Sequence, residues 1–168
     1  MNLSKYIRDI PDFPKKGIVY KDITPLLQSS KAFSYLLNIL YKRYKNQNLD
    51  LILGVEARGF IFAASLATKL GCGFVPIRKK NKLPYKTFSA KYQLEYGHDI
   101  IEIHKDSIKK NAKVLIVDDV LATGGTINAS LELLSNFDCK LYECCFIIQL
   151  MNLNGIYNIK KEVLIHSI

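Results

Sequence analysis

Asp118 and Asp119 stand side by side, and a short apolar link separates them from Thr123, Gly124, Gly125 and Thr126. Adjacent carboxylates accept hydrogen bonds from hydroxyl groups, or hold Mg²⁺ with several of its waters retained. Glycines let a loop turn successive backbone N–H groups inward, and a helix N-terminus behind them adds partial positive charge and unpaired donors. With Ala122 leading in and the Thr123 and Thr126 hydroxyls as further donors, such a loop is suited to a phosphate monoester. Phosphate at one end and a diol or metal at the other describe a ribose 5-phosphate. A Gly-Gly-Thr alone is an ordinary turn, and a Walker-type loop needs a Lys before its Ser/Thr, which is absent here. The weight lies in the whole thirteen-residue pattern from Val114 to Thr126.

Positioning those groups takes a strand, a loop and a helix. Val114 to Val117 is an unbroken β-favouring apolar run, as in a strand buried on both faces of a parallel sheet, and it stops at the two acids. Ile127, Leu131 and Leu134 then recur with the spacing of a helix's buried face. Earlier in the chain the same order repeats: a strand over 49–55, the charged Glu56-Ala57-Arg58-Gly59, and a helix over 59–70 with hardly a charge on it. Open α/β sheets bind ligands at this edge, outside the carboxyl ends of the strands. A strand over 73–77 leads into the basic run Arg78-Lys79-Lys80-Asn81-Lys82, which would point at the same edge.

The remaining segments frame this centre. Asn2 to Ile10 reads as a short helix, and 12–22 as an ordered loop broken by Pro and Gly. Phe33, Leu36, Leu37, Leu40, Tyr41 and Tyr44 form the core face of a helix starting at Ser30. The stretch 83–98 is too long for an ordinary connection and reads as a lid, with 87–92 and 100–104 pairing as a two-stranded flap. Strands over 141–150 and 163–165 complete the alternation. The reading is an α/β fold with a doubly wound, mostly parallel sheet flanked by helices, a lid, and a small N-terminal helix and loop hood, all in one domain of 168 residues.

Composition limits the alternatives. All but four of the 24 basic residues are lysine, and they are spread along the chain with no DNA- or RNA-binding pattern. The charge of +9 therefore predicts attraction of an anionic substrate rather than nucleic-acid binding. No apolar run approaches a membrane span, and the four cysteines, with no Cys-x-x-Cys, suit reduced thiols in the cytoplasm.

The Val114–Thr126 pattern resembles the 5-phosphoribosyl 1-diphosphate (PRPP) signature of the type I phosphoribosyltransferases. Further motifs extend the resemblance to the adenine-using branch of that family: Asp12-Phe13-Pro14 with Gly17 to Asp22, Glu56 to Phe60, Arg78-Lys79 with Lys82-Leu83-Pro84, and Leu94-Glu95-Tyr96-Gly97. The resemblance implies that adenine, PRPP and Mg²⁺ give AMP and pyrophosphate, usually in a homodimer. It implies that Ala122 to Thr126 hold the 5-phosphate, and that Asp118 and Asp119 take the ribose hydroxyls, with Mg²⁺ held indirectly through PRPP. It implies a pyrophosphate loop at Glu56, Ala57, Arg58 and Gly59, with a cis peptide at Glu56–Ala57, aided by Arg78, Lys79 and Lys82. Val19, Tyr20 and Lys21 correspond to the adenine loop, Glu95 to the acid/base facing purine N7, and Tyr96 to a residue of the lid. Catalysis would rest on Glu95 and Arg58. Lys16, Tyr20, Lys21 and Asn81 stand where the family often has Pro, Phe, Arg and Gly. Two other functions stay open from the sequence: a 6-oxopurine or xanthine phosphoribosyltransferase, and a nucleotide-binding RNA regulator on the same fold.

Overall fold

The computed structural model describes residues 1–93, 98–160 and 163–168, in two compact units, Met1–Asn46 and Gln47–Ile168. Glu95 and Tyr96, with the rest of their motif, lie outside the described residues.

In the first unit a 3-10 turn, Leu3–Tyr6, leads into β1 (Arg8–Pro11), which pairs antiparallel with β2 (Val19–Asp22). The expected helix over 2–10 and loop over 12–22 are thus corrected to a turn and a two-stranded ribbon. The apolar spacing of Ile7 and Ile10 fits a helix locally, but pairing with a strand ten residues away supplies the hydrogen bonds instead. Between the strands, Gly17 N–H donates to Asp12 Oδ1 at 2.6 Å. Two helices follow, α1 (Thr24–Gln28) and α2 (Ser30–Tyr44). Ser29 caps α2 by accepting from Ala32 N–H at 3.2 Å, and Leu36, Leu40 and Tyr44, one turn apart, are buried as their spacing requires.

The second unit is built on a seven-stranded sheet in the order β5-β6-β4-β3-β7-β8-β9. Its strands are β3 (Leu51–Val55), β4 (Gly73–Lys79), β5 (Thr87–Gln93), β6 (His98–His104), β7 (Lys113–Leu121), β8 (Lys140–Gln149) and β9 (Ile165–Ser167). Helix α3 (Gly59–Leu70) joins β3 to β4, and α4 (Gly125–Leu134) joins β7 to β8. All pairs from β4 through β3, β7 and β8 to β9 are parallel. The core holds the β3 and β7 apolar runs with Ile127, Leu131 and Leu134 of α4, and these apolar residues are nearly all excluded from water.

Two elements run further than the hydrophobic pattern indicates. Strand β7 does not stop at the acids but continues through Asp118 to Leu121, pairing Asp118 with Phe146 and Leu121 with Gln149. The backbone ladder is indifferent to side-chain charge, so the apolar run ends before the strand does. The β5–β6 hairpin forms as expected and also joins the main sheet, because β6 pairs antiparallel with β4 at Arg78–Glu102 and Lys79–Ile101.

Candidate active site

Strands β3 and β7 are parallel neighbours, with Gly54 opposite Val117, so the loops after them open on one edge of the sheet. Glu56–Arg58 follows β3 and Ala122–Gly124 follows β7. Gly59 begins α3 against the end of β7: a Cβ there would stand 2.8 Å from Asp118 Oδ1 and 3.0 Å from Val117 O. Only a residue without a side chain lets the two loops approach this closely.

The carboxylates expected to bind the ribose occupy the centre of this edge. Asp119 is buried, 6% exposed, and Asp118 is partly buried. Asp118 Oδ1 accepts from Asp119 N–H at 2.8 Å, and Arg58 Nε lies 2.5 Å from Asp119 Oδ2. That ion pair links the loop after β3 to the acids on β7. It is not aligned as a hydrogen bond, and Asp119 Oδ2 has no hydrogen-bond partner among the described residues. Burial, then the neighbouring Asp119 charge, holds the Asp118 carboxyl well above the usual carboxylate range. Burial also raises Asp119, against the opposing pull of Arg58. Such a pair can accept from hydroxyl groups or meet a cation.

At the start of α4, Gly124 is the N-cap in the left-handed region, φ 87°, and no side chain caps the helix among the described residues. First-turn N–H groups of an uncapped helix are free to meet an anion. Ala122, Thr123, Gly124, Gly125 and Thr126 together line a small pocket of about 50 Å³ that also borders Asp118.

The basic residues are held by carboxylates that sequence reasoning left without this role. The Glu56–Ala57 peptide is cis, as the resemblance implies. Glu56 Oε2 accepts from Arg78 Nε at 3.2 Å and from Lys79 N–H at 2.9 Å, while Arg78 Nη1 donates to Lys82 O at 3.1 Å. Burial pulls the Glu56 carboxyl upward, but the Lys79 N–H and the Arg78 guanidinium outweigh it and leave the group below its usual range. Asn81 takes the left-handed conformation, φ 63°, that its side chain tolerates in place of Gly. Its N–H donates to Glu102 Oε2 at 3.0 Å, and Glu102 is buried. Two acids therefore fix the run that carries Arg78, Lys79 and Lys82.

Tyr92 was also missed as a site residue. It borders a cleft of about 1050 Å³ that reaches Thr123 and Gly125. Burial, then the Asp99 carboxylate, pushes its hydroxyl up, and the Thr126 side chain works against that rise. No local motif marks Tyr92; pairing of β5 with β6 brings it there.

Val19, Tyr20 and Lys21 lie on β2 in the first unit. The Tyr20 ring meets Phe13 edge-on at 5.3 Å, and Lys21 Nζ pairs with Asp9 at 2.7 Å. The side chain of Lys21 is thus engaged within its own unit. A strand of a two-stranded ribbon has one edge outside the sheet ladder, where backbone C=O and N–H groups alternate.

A family model described as the phosphoribosyl transferase domain matches residues 20–163. An adenine phosphoribosyltransferase of Campylobacter fetus subsp. fetus (strain 82-40) is 53% identical over 164 residues, 96% of this chain and 90% of that protein. The crystal structure of an adenine phosphoribosyltransferase from Thermoanaerobacter pseudethanolicus is 48% identical and superposes with a TM-score of 0.93, covering 98% of this chain and 95% of that one. The Saccharomyces cerevisiae adenine phosphoribosyltransferase, in complex with adenine and an imino-altritol bisphosphate, is 37% identical with a TM-score of 0.91, covering 98% and 95%. With the PRPP pattern folded into a phosphate-sized pocket beside two acids, these likenesses show that the chain belongs to the adenine phosphoribosyltransferase family.

Proposed function

We propose that this protein transfers the 5-phosphoribosyl group of PRPP to N9 of adenine, giving AMP and pyrophosphate in purine salvage. The observation that carries the reading is the pairing, on one sheet edge, of the Ala122–Thr126 pocket with a buried acid, Asp119, whose Oδ2 meets Arg58 but has no hydrogen-bond partner among the described residues. The loop N–H groups and the Thr123 and Thr126 hydroxyls hold the 5-phosphate. Asp118 and Asp119 accept from the ribose 2- and 3-hydroxyls.

Displacement of pyrophosphate puts positive charge on the ribose ring and negative charge on the leaving group. Fixed cations aimed at that charge stabilise the transition state without reorganising. Arg58, Lys79 and Lys82 serve this role, with Glu56 orienting the basic run through Arg78 and the Lys79 N–H. Mg²⁺ fits the paired acids, whose raised affinity for protons is what a cation would replace; Asp118 and Asp119 would hold it through the ribose hydroxyls, and it would supply further neutralisation of the pyrophosphate.

The backbone C=O and N–H groups of Val19 to Lys21 on β2 are of the kind complementary to the adenine N6 donor and N1 acceptor. Hypoxanthine reverses both. Glu95 holds the proton of the purine at N7, a role resting on the Leu94-Glu95-Tyr96-Gly97 motif, and Tyr96 belongs to the lid over the site. The enzyme works in the cytoplasm as a homodimer in which Arg78, Lys79 and Lys82 of one copy face the other's pyrophosphate. Relatives bearing the adenine name favour this over the 6-oxopurine, xanthine and RNA-regulator readings.

Calorimetry with PRPP and Mg²⁺ tests the central contacts. Asp118→Asn with Asp119→Asn should abolish measurable binding with the fold intact by circular dichroism. Unchanged affinity would remove the diol-binding role.

A further inference from the structure

The C-terminal residues carry no recognisable motif, yet part of them folds against the outside of the phosphate loop. Leu150 N–H donates to Leu121 O at 2.9 Å, fastening the start of the tail to the end of β7. A 3-10 turn then runs from Gly155 to Asn158. Gly155 is buried in an otherwise mostly exposed stretch, and any Cβ on it would collide with the Ala122 carbonyl. The contact is mutual, since a Cβ on Gly124 would stand 2.7 Å from Gly155 O.

Hydrogen bonds extend the contact on both sides of the loop. Asn158 Nδ2 donates to Thr123 O at 3.1 Å, and Asn158 O accepts from Asn128 Nδ2 at 2.8 Å. Lys160 N–H donates to Asn128 Oδ1 at 2.9 Å. Asn128 lies in the first turn of α4, so the tail grips the loop carbonyls and the helix start together.

This matters for an anion because a trans peptide points its C=O and N–H in opposite directions. Fixing the Thr123 carbonyl toward Asn158 Nδ2 fixes the Gly124 N–H away from that amide. Donors held this way before the ligand arrives need no ordering when it binds.

We propose that the Gly155–Lys160 segment is a positioning element for the 5-phosphate loop, with Asn158 as its positioning side chain. The inference rests on the reading of Ala122–Thr126 as the phosphate site. Asn158 acts through the Thr123 peptide.

The test uses the full chain carrying Asn158→Leu, which removes the donor at an exposed position and nearly keeps the volume. Calorimetry with ribose 5-phosphate and, separately, with pyrophosphate is combined with KM values for PRPP and adenine. Loss of one hydrogen bond should weaken ribose 5-phosphate binding about three- to tenfold and raise the KM for PRPP alike. Pyrophosphate affinity, the adenine KM and kcat at saturation should stay within about twofold, and Asn158→Gln, which keeps the amide, should recover part of the loss. A purely structural tail would lower Tm and affect both ligands equally, which would overturn the proposal. Thr126→Val separates the two levels. If it weakens ribose 5-phosphate binding while Asn158→Leu does not, the tail has no positioning role and the phosphate site stands. If neither does, the phosphate reading itself fails. Asn128→Ala removes the two other links, from Asn128 Nδ2 to Asn158 O and from Lys160 N–H to Asn128 Oδ1, and tests the segment should Asn158→Leu not fold.

Discussion

Asp118 and Asp119 sit next to one another on β7, and both carboxyls are harder to ionise than usual. Burial comes first and the Asp119 charge second in raising Asp118, while burial raises Asp119 and Arg58 limits that rise. The native state therefore keeps protons that the unfolded chain would release. Stability falls as pH rises from the unfolded carboxylate value, about 3.9, through the raised native value, and the penalty is complete above it. Asp118→Asn removes the repulsion and keeps the acceptor that meets the Asp119 N–H. Thermal denaturation should show a higher Tm for the variant than for the wild type at pH 7.5, with the gap closing toward pH 4. A site for function is here set against stability of the free protein, and Mg²⁺ with PRPP would reverse the balance. The second residue-scale prediction concerns Glu95. Glu95→Gln keeps size but cannot accept a proton, so single-turnover AMP formation should slow by about 10²–10⁴-fold with PRPP affinity little changed. A rate within a few-fold of wild type would remove Glu95 from the mechanism.

At the scale of elements, the pyrophosphate edge depends on Glu56 clasping the end of β4. Its carboxyl is pulled up by burial and more strongly down by the Lys79 N–H and Arg78. A depressed carboxyl contributes stability that is present above the unfolded value and is lost as pH falls through the native one. Glu56→Gln should flatten the acid limb of the stability profile between pH 5 and 3 and weaken pyrophosphate binding severalfold; urea denaturation across that range checks it. Helix α3 was legible from sequence to its last residue because Gly59–Leu70 is a charge-poor run ended by Gly71 in the left-handed region. The turns after β3 and β7 were legible because charged residues and glycines mark them locally. What sequence missed depends on distant partners. The β1–β2 ribbon needs a strand ten residues away. Tyr92 reaches Thr126 only through β5–β6 pairing, and Gly155 has meaning only against Ala122. The tail's bland composition carries no period from which that contact could be read.

For the molecule as a whole, the proposed function puts three kinds of subsite on one sheet edge: a phosphate pocket at α4, paired acids on β7, and cations after β3 and β4. None of these would choose a base. The proposal assigns that choice to Val19 to Lys21 on β2. A site built to pair the N6 donor and N1 acceptor leaves buried groups unpaired with hypoxanthine, which can reject the analogue by about 10⁴-fold. Among the described residues no helix is long and apolar enough to cross a membrane, and none of the described side chains forms a metal cluster of three or more ligands. In the proposed function a cation would be held by the two acids with the substrate's own oxygens.

The most direct measurement incubates the purified protein with PRPP, Mg²⁺ and either adenine or hypoxanthine and follows nucleotide and pyrophosphate together. The account predicts AMP and pyrophosphate in equal amounts from adenine, with kcat/KM for hypoxanthine lower by about 10⁴-fold. Comparable turnover of the two bases, or pyrophosphate release without AMP, would contradict it.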